Sequence, residues 1–397
     1  MQKRIACLAV VFGCLVGAAG PSIGQVAPHK GGEDLSGPYE PVPDWPKPID
    51  PDRTWGRTGT VFAESPDRIF VMQSGMVSWS WKRLAEPALG GGTLLASANE
   101  ATHCASTVMR QANCQPGQNP LAEKSGKVIP GAGWDHVLMV FDGAGNLIES
   151  WEQHNHLFTH PHNITISPYD PDRHVWVVDA GSEQIFKFTN DGELVMTVGE
   201  FRVTGDDRTH FGNPSGIAFL PNGDFYVSDG YRNRRVVKFS KDGTYLMEWG
   251  TPGDGPGEFN VVHGIAIDAE GRVYVIDRSN SRIQVFDLDG TYLDEWPGLN
   301  LPLYIAVSED QHIWVSSGLS NKILKYDRNG QLLYSWGTFG AQPGAIWGVH
   351  GFSTDANGNL YVAEVFAGRV QKLRPRTGAN PSFLVGPIAS PGSLALR

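Results

Sequence analysis

From residue 162 onward the hydrophobic and polar positions of the chain repeat on one plan. A first strand of small and apolar residues, as in His162–Ile166, Ser215–Phe219 and His263–Ile267, is followed by an Asx/Gly turn. An apolar-aromatic strand then closes on aspartate, as in Trp176–Asp179, Phe225–Asp229 and Val273–Asp277. A third strand (Ile185–Phe188, Val236–Phe239, Ile283–Phe286) and a fourth ending near Trp-Gly complete the unit, and further copies begin at Leu303 and His350. Short apolar runs between turn signals predict strands. The Ile or Phe at 164, 217, 265, 305 and 352 recurs at spacings of 53, 48, 40 and 47 residues. Four-strand units of about 40–50 residues predict propeller blades.

A diluted sixth copy lies upstream. Gly59–Ala63 and Arg68–Val71 match the first two strands, residues 76–133 interrupt, and Val137–Phe141 with Leu147–Trp151 supply the last two. The expected architecture is therefore all-β, a six-bladed β-propeller over residues 59–386 with four-stranded blades around a central channel. The interruption reads as an insertion on the rim of blade one. Residues 25–58 read as a Pro-rich tail packing across the surface, and 387–397 as a C-terminal tail. Pairs such as Asp191-Gly192, Asn222-Gly223 and Asp289-Gly290 predict tight hairpins with both central residues at positive φ. The repeated Asp179, Asp229 and Asp277 are expected to accept backbone hydrogen bonds rather than perform chemistry.

Composition agrees with this plan and narrows the partners. The 48 glycines and 27 prolines among 397 residues exclude a long-helix bundle. A net charge of −10 disfavours nucleic acid. Lys3 and Arg4 before the apolar run Ile5 to Val16, then small residues up to Gly24, predict an export signal over 1–24 and a periplasmic or secreted product. That run is too short to span a bilayer, so no transmembrane segment is expected. Val11, Phe12 and Gly13 match poorly the approach to a lipid-modified cysteine, which argues against anchoring at Cys14. In an oxidising compartment Cys104 and Cys114, the two cysteines beyond the leader, are expected to pair.

Aligning the blades on the first-strand Ile exposes a constellation that the fold does not require. Two residues before it stand Gly59, His162, Ser215, His263, Leu303 and His350. Equivalent positions in alternate blades of a six-bladed ring lie about 120° apart, so the three histidines converge on the axis. Three imidazoles with open positions opposite them make a catalytic metal site. His154, His156 and His160 form a denser cluster without ring symmetry and read as rim residues. Just past the second strand, Tyr231 and Arg278 are placed to face the metal from adjacent blades. A Tyr and an Arg beside a metal-bound oxygen suit removal of a hydroxyl proton from a substrate carrying a carboxylate.

At these residues the chain resembles the peptidyl-α-hydroxyglycine α-amidating lyase family, a six-bladed propeller of the NHL-repeat type. The resemblance covers about Gly59 to Leu373. It is sharpest in Pro161-His162, His210-Phe211, Tyr226 to Tyr231, Gly257 to Phe259 with His263, Asp277-Arg278 and His350. It implies zinc on His162, His263 and His350, Tyr231 as catalytic base and Arg278 as an active-site arginine. It further implies a hydroxylated, peptide-like or small-molecule substrate cleaved at a carbinolamide C–N bond to an amide and glyoxylate, by an enzyme expected to be monomeric. Three positions depart from the family pattern. Gln73-Ser74 stand where the family has a second arginine, a function that Arg57, Arg68 or Arg83 would have to supply. Gly351 replaces the aspartate that supports a structural calcium, and Gly212 with Arg232 replace a disulfide around the tyrosine loop. Other readings of the same site are a metal-dependent lyase or hydrolase acting on another small hydroxylated substrate, and a noncatalytic NHL-propeller binding module.

Overall fold

The computed structural model describes residues 36–50, 53–78 and 134–388, all within one compact unit. The export signal, Cys104, Cys114, Arg83, all but the first three residues of the insertion and residues 389–397 lie outside the described residues.

Five sheets run four strands in sequence order, each antiparallel to the next, and the sixth completes itself with a strand from the tail. Blade one comprises Thr58–Ser65, Arg68–Gln73, Leu138–Phe141 and Leu147–Ser150; blade two starts at Pro161–Ile166, blade three at Pro214–Phe219, blade four at Val262–Ile267, blade five at Pro302–Val307 and blade six at Val349–Thr354. These first strands are innermost and pack side by side around the ring, blade six against blade one. Ala63 N–H donates to Ser353 Oγ across that last junction at 3.0 Å. The second strands, such as Val175–Asp179 and Val273–Asp277, are buried along their whole length because each blade is covered on both sides, whereas outer strands such as Leu194–Val198 are largely exposed. The core accordingly divides into six clusters, one per blade junction, such as Phe70, Trp151, Ile164 and Phe186 between blades one and two. Burying such residues at roughly 1.5–3 kcal/mol each is what holds the ring closed.

Two expectations need correction. The Asx-Gly hairpins do not place both central residues at positive φ: Gly192 (95°) and Gly290 (80°) are there, while Asp191 and Asp289 are not. Gly192 N–H donates to Thr189 O and Thr189 N–H to Glu193 O. That is a four-residue type I turn with glycine in the left-handed region as its bulge, which needs only one residue at positive φ. The tail also does more than cross the surface. Tyr39–Pro41 pairs antiparallel with Leu373–Pro375 as the outer strand of blade six, so the N-terminal segment closes the ring. Further on, Arg53–Trp55 pairs with Met76–Ser78, which anchors the start of the insertion.

Candidate metal centre

The six ring positions share one backbone irregularity. In blade two Pro161 pairs with Asp179 and Asn163 with Val178, leaving His162 unpaired between them. His263 and His350 are skipped in the same way, as are Ser215, Leu303 and Gly59. A β-bulge releases one residue from the strand's alternation and re-aims its side chain. Here it turns three imidazoles out of the blades and into the channel.

Buried carboxylates fix where each bulge begins. Asp179, Asp277 and Glu364, at the ends of the second strands, are wholly inaccessible. Asp179 accepts the Thr159 and His160 N–H groups, Asp277 that of Asn260, and Glu364 that of Trp347, in each case about three residues ahead of a ring histidine. Arg282 and Arg369 neutralise the second and third of these acids. Asp179 is held by backbone donors, including Gly181 and Ser182, with the Arg202 charge acting on it; burial raises its pKa. Asp229 in blade three accepts from Gly212 N–H and pairs with Arg235.

The imidazoles are oriented by the odd-numbered blades. His162 Nδ1 lies 2.5 Å from Ser215 O, His263 Nδ1 2.8 Å from Leu303 O, and His350 Nδ1 2.8 Å from Gly59 O. A carbonyl oxygen only accepts, so each Nδ1 carries the proton and each Nε2 is left as a lone pair. The three ring centroids are 4.6 to 5.0 Å apart, and the histidines form a group whose ligand atoms all lie within 4.8 Å of one another. All three rings are buried. Burial depresses their pKa values, with the neighbouring imidazoles and the charges of Arg57 and Arg278 adding to it; His350 falls to about 3 and the other two lie well below the usual imidazole value.

Tyr231 Oη lies 2.9 Å from His162 Nε2 and 2.7 Å from His263 Nε2. Its one proton satisfies one of these acceptors, and His350 Nε2, buried, has no hydrogen-bond partner among the described residues. Three converging lone pairs with a single proton among them are the donor set a divalent cation completes. Asn213, at φ 63°, holds the Tyr231 loop, its carbonyl accepting the Gly230 and Tyr231 N–H groups. Glu183 in turn accepts from the Asn213 amide side chain at 2.9 Å. Arg278 lies over the Tyr231 ring at 4.9 Å and donates to its oxygen at 3.3 Å.

Two further side chains reach this mouth. Arg57 lines a narrow crevice together with Ser74, His160, His350 and Val365. Ser74 N–H donates to Arg57 O at 2.9 Å, so Arg57 stands directly beside Gln73-Ser74. Gln73 is locked among Gly56 N–H and the carbonyls of Asp135 and His136. Arg68 is held away at Glu64, Glu149 and Asn190. His160 comes within 5.6 Å of the His162 ring and 6.4 Å of Tyr231, closer than a rim residue, whereas His154 binds Gly192 O and His156 is exposed. Arg57 and His160 both stand two residues before their blade's ring position, a register shared by Asn213 and Gly348 that the sequence contains but that ring alignment alone did not single out.

A family model described as a 6-bladed beta-propeller matches residues 202–335. Peptidyl-glycine alpha-amidating monooxygenase B of Xenopus laevis is 36% identical over 155 residues, 37% of this chain and 17% of that protein. A probable peptidyl-alpha-hydroxyglycine alpha-amidating lyase of Caenorhabditis elegans is 38% identical over 132 residues, 32% of this chain and 37% of that protein. Human NHL repeat-containing protein 3 is 34% identical over 170 residues, 40% of this chain and 48% of that protein. The chain thus spans less than half the length of these curated relatives. Its homologues include amidating lyases and NHL-repeat proteins, and its fold is a six-bladed propeller.

Proposed function

We propose that His162, His263 and His350 hold one zinc ion through their Nε2 atoms, and that the chain cleaves the C–N bond of a carbinolamide, as in a peptidyl-α-hydroxyglycine. The observation that carries this reading is the shortage of protons among the three buried lone pairs, with one phenol set against two of them. A cation bound there supplies a Lewis acid for a substrate oxygen.

The chain's own residues do the rest. Tyr231 takes the proton of the substrate hydroxyl, and Arg278, at 3.3 Å, stabilises the phenolate that this requires. The released electron pair forms the carbonyl as the C–N bond breaks, and the proton passes from Tyr231 to the departing amide nitrogen. An amide and an aldehyde result, glyoxylate when the carbon bears a carboxylate. Arg57 and Arg278 place two cations at the mouth for that carboxylate. Replacing Tyr231→Phe is expected to slow glyoxylate release from an α-hydroxyglycine peptide by about 10²–10⁴-fold with bound metal unchanged. Undiminished turnover would reject Tyr231 as the base.

A further inference from the structure

At the end of the blades remote from the ring histidines, where the first strand turns into the second, one side-chain pair recurs. In blades two, five and six an aromatic residue near the start of the second strand stands across from a lysine on the third: Trp176 from Lys187, Trp314 from Lys325 and Tyr361 from Lys372. Each ammonium lies over its partner's ring, at 5.3 to 5.5 Å. The stacking leaves two kinds of donor to be satisfied in each blade, the indole N–H or phenol O–H and the N–H groups of the lysine.

In blades five and six the rest of the chain meets both needs. Trp314 Nε1 donates to Ser308 Oγ at 3.2 Å and Lys325 Nζ to Ser382 O at 2.9 Å. Tyr361 Oη donates to Asp355 Oδ2 at 2.9 Å and Lys372 Nζ to Gly143 O at 2.9 Å. Blade two meets neither. Trp176 is 3% exposed, and its Nε1 has no hydrogen-bond partner among the described residues. Ser167, which stands where the other two blades have Ser308 and Asp355, accepts the Tyr169 N–H instead. No carboxylate or carbonyl among the described residues pairs with the Lys187 ammonium. In front of these groups, at the junction of blades two and three, lies a cavity of about 190 Å³ bounded by Tyr169, Trp176, Lys187, Phe219 and Lys241. Asp170 also borders it, but its carboxylate is occupied within its own turn by His174 Nδ1 at 2.7 Å and by the Asp172 and His174 N–H groups. The cavity therefore combines aromatic walls with a surplus of donors, and a buried donor without an acceptor is costly unless a ligand supplies one.

We propose that this cavity is a second binding site, for a small carboxylate with a planar apolar body such as an arylacetate. Its carboxylate takes the Trp176 N–H and the Lys187 and Lys241 ammonium groups, and its body lies against Tyr169 and Phe219. The volume suits a ligand of about ten non-hydrogen atoms, because an apolar cavity of about 150 Å³ already accepts benzene. The first strand of blade two runs from the ring histidine to Ile166 before the turn that borders the cavity, a separation of roughly 13 Å at about 3.3 Å per residue. Occupancy of the cavity is therefore independent of metal and of turnover at the other end of the ring.

Titration of phenylacetate into the ¹⁵N-labelled full chain, followed through the indole N–H resonances, tests this directly. The resonance that disappears in Trp176→Phe is expected to shift saturably in the parent protein. Lys187→Gln and Lys241→Gln, at a partly exposed and an exposed side chain, should each weaken binding about tenfold, the scale of a charge-assisted hydrogen bond. Arg278→Gln should leave the midpoint of the Trp176 shift unchanged, which separates this site from carboxylate capture at the metal centre. Inorganic phosphate, which lacks the apolar body, should bind at least about tenfold more weakly than phenylacetate. The proposal is overturned by a Trp176 resonance that does not shift saturably, by an affinity that both lysine variants leave untouched, by a midpoint that follows Arg278, or by phosphate binding as tightly as phenylacetate.

Discussion

The three ring histidines are neutral because the fold takes their solvent away, and that has a consequence for acid stability. Burial is the largest cause of their depressed pKa values. The unfolded chain therefore binds protons near the usual imidazole pKa that the folded chain refuses, and stability falls as pH drops from about 6.5 toward 3. Metal-free protein should show a falling urea midpoint over that interval, and His350→Gln should flatten part of the fall; parallel curves would contradict the assignment. Glu183 works in the opposite sense. Burial raises its carboxyl to about 7, so it contributes stability below about 4.5 that is lost as pH rises through 7. Glu183→Gln should gain about 1–2 kcal/mol on the wild type at pH 8 and nothing at pH 5, as read by urea denaturation. The triad could be read from the sequence because one aligned position carried it. Arg57 could be named only alongside Arg68 and Arg83, since nothing local distinguishes an arginine beside a channel from one in a surface ion pair such as that of Arg68, and His160 reads as a rim residue for want of ring symmetry.

At the level of the strand and turn, local pattern and non-local pairing separate cleanly. Blades two to five announced themselves because each sheet is built from consecutive hairpins, where alternation and turn residues carry the register. The outer strand of blade six is three residues, Tyr39–Pro41, within a Pro-rich stretch, and its partner is more than three hundred positions away. Nothing in its own sequence points to that pairing. The bulges were equally silent, for a skipped residue leaves the apolar alternation of its neighbours intact. The closing strand is secured by Tyr39, which is fully buried, lies 5.6 Å from Trp336 and accepts the Val385 N–H at 2.8 Å. Tyr39→Ala should cost about 3–5 kcal/mol by urea denaturation, the usual range for a buried aromatic. A loss below about 1 kcal/mol would mean that the strand does not close the ring.

Across the whole molecule the chemistry follows from symmetry. Six similar blades bring six equivalent positions to one axis; alternate blades supply histidines, and the blades between them supply the carbonyls of Gly59, Ser215 and Leu303 that set the tautomers. A pseudo-threefold site thereby arises from a sixfold scaffold. The loops above it break that symmetry, with Tyr231 from blade three and Arg278 from blade four. The most direct measurement is the metal content of the purified protein and of His162→Ala, His263→Ala and His350→Ala. About one zinc per chain is expected in the wild type, with loss of most of it in every variant that remains folded. A wild-type protein without divalent metal, or variants that retain it in full, would contradict the central claim.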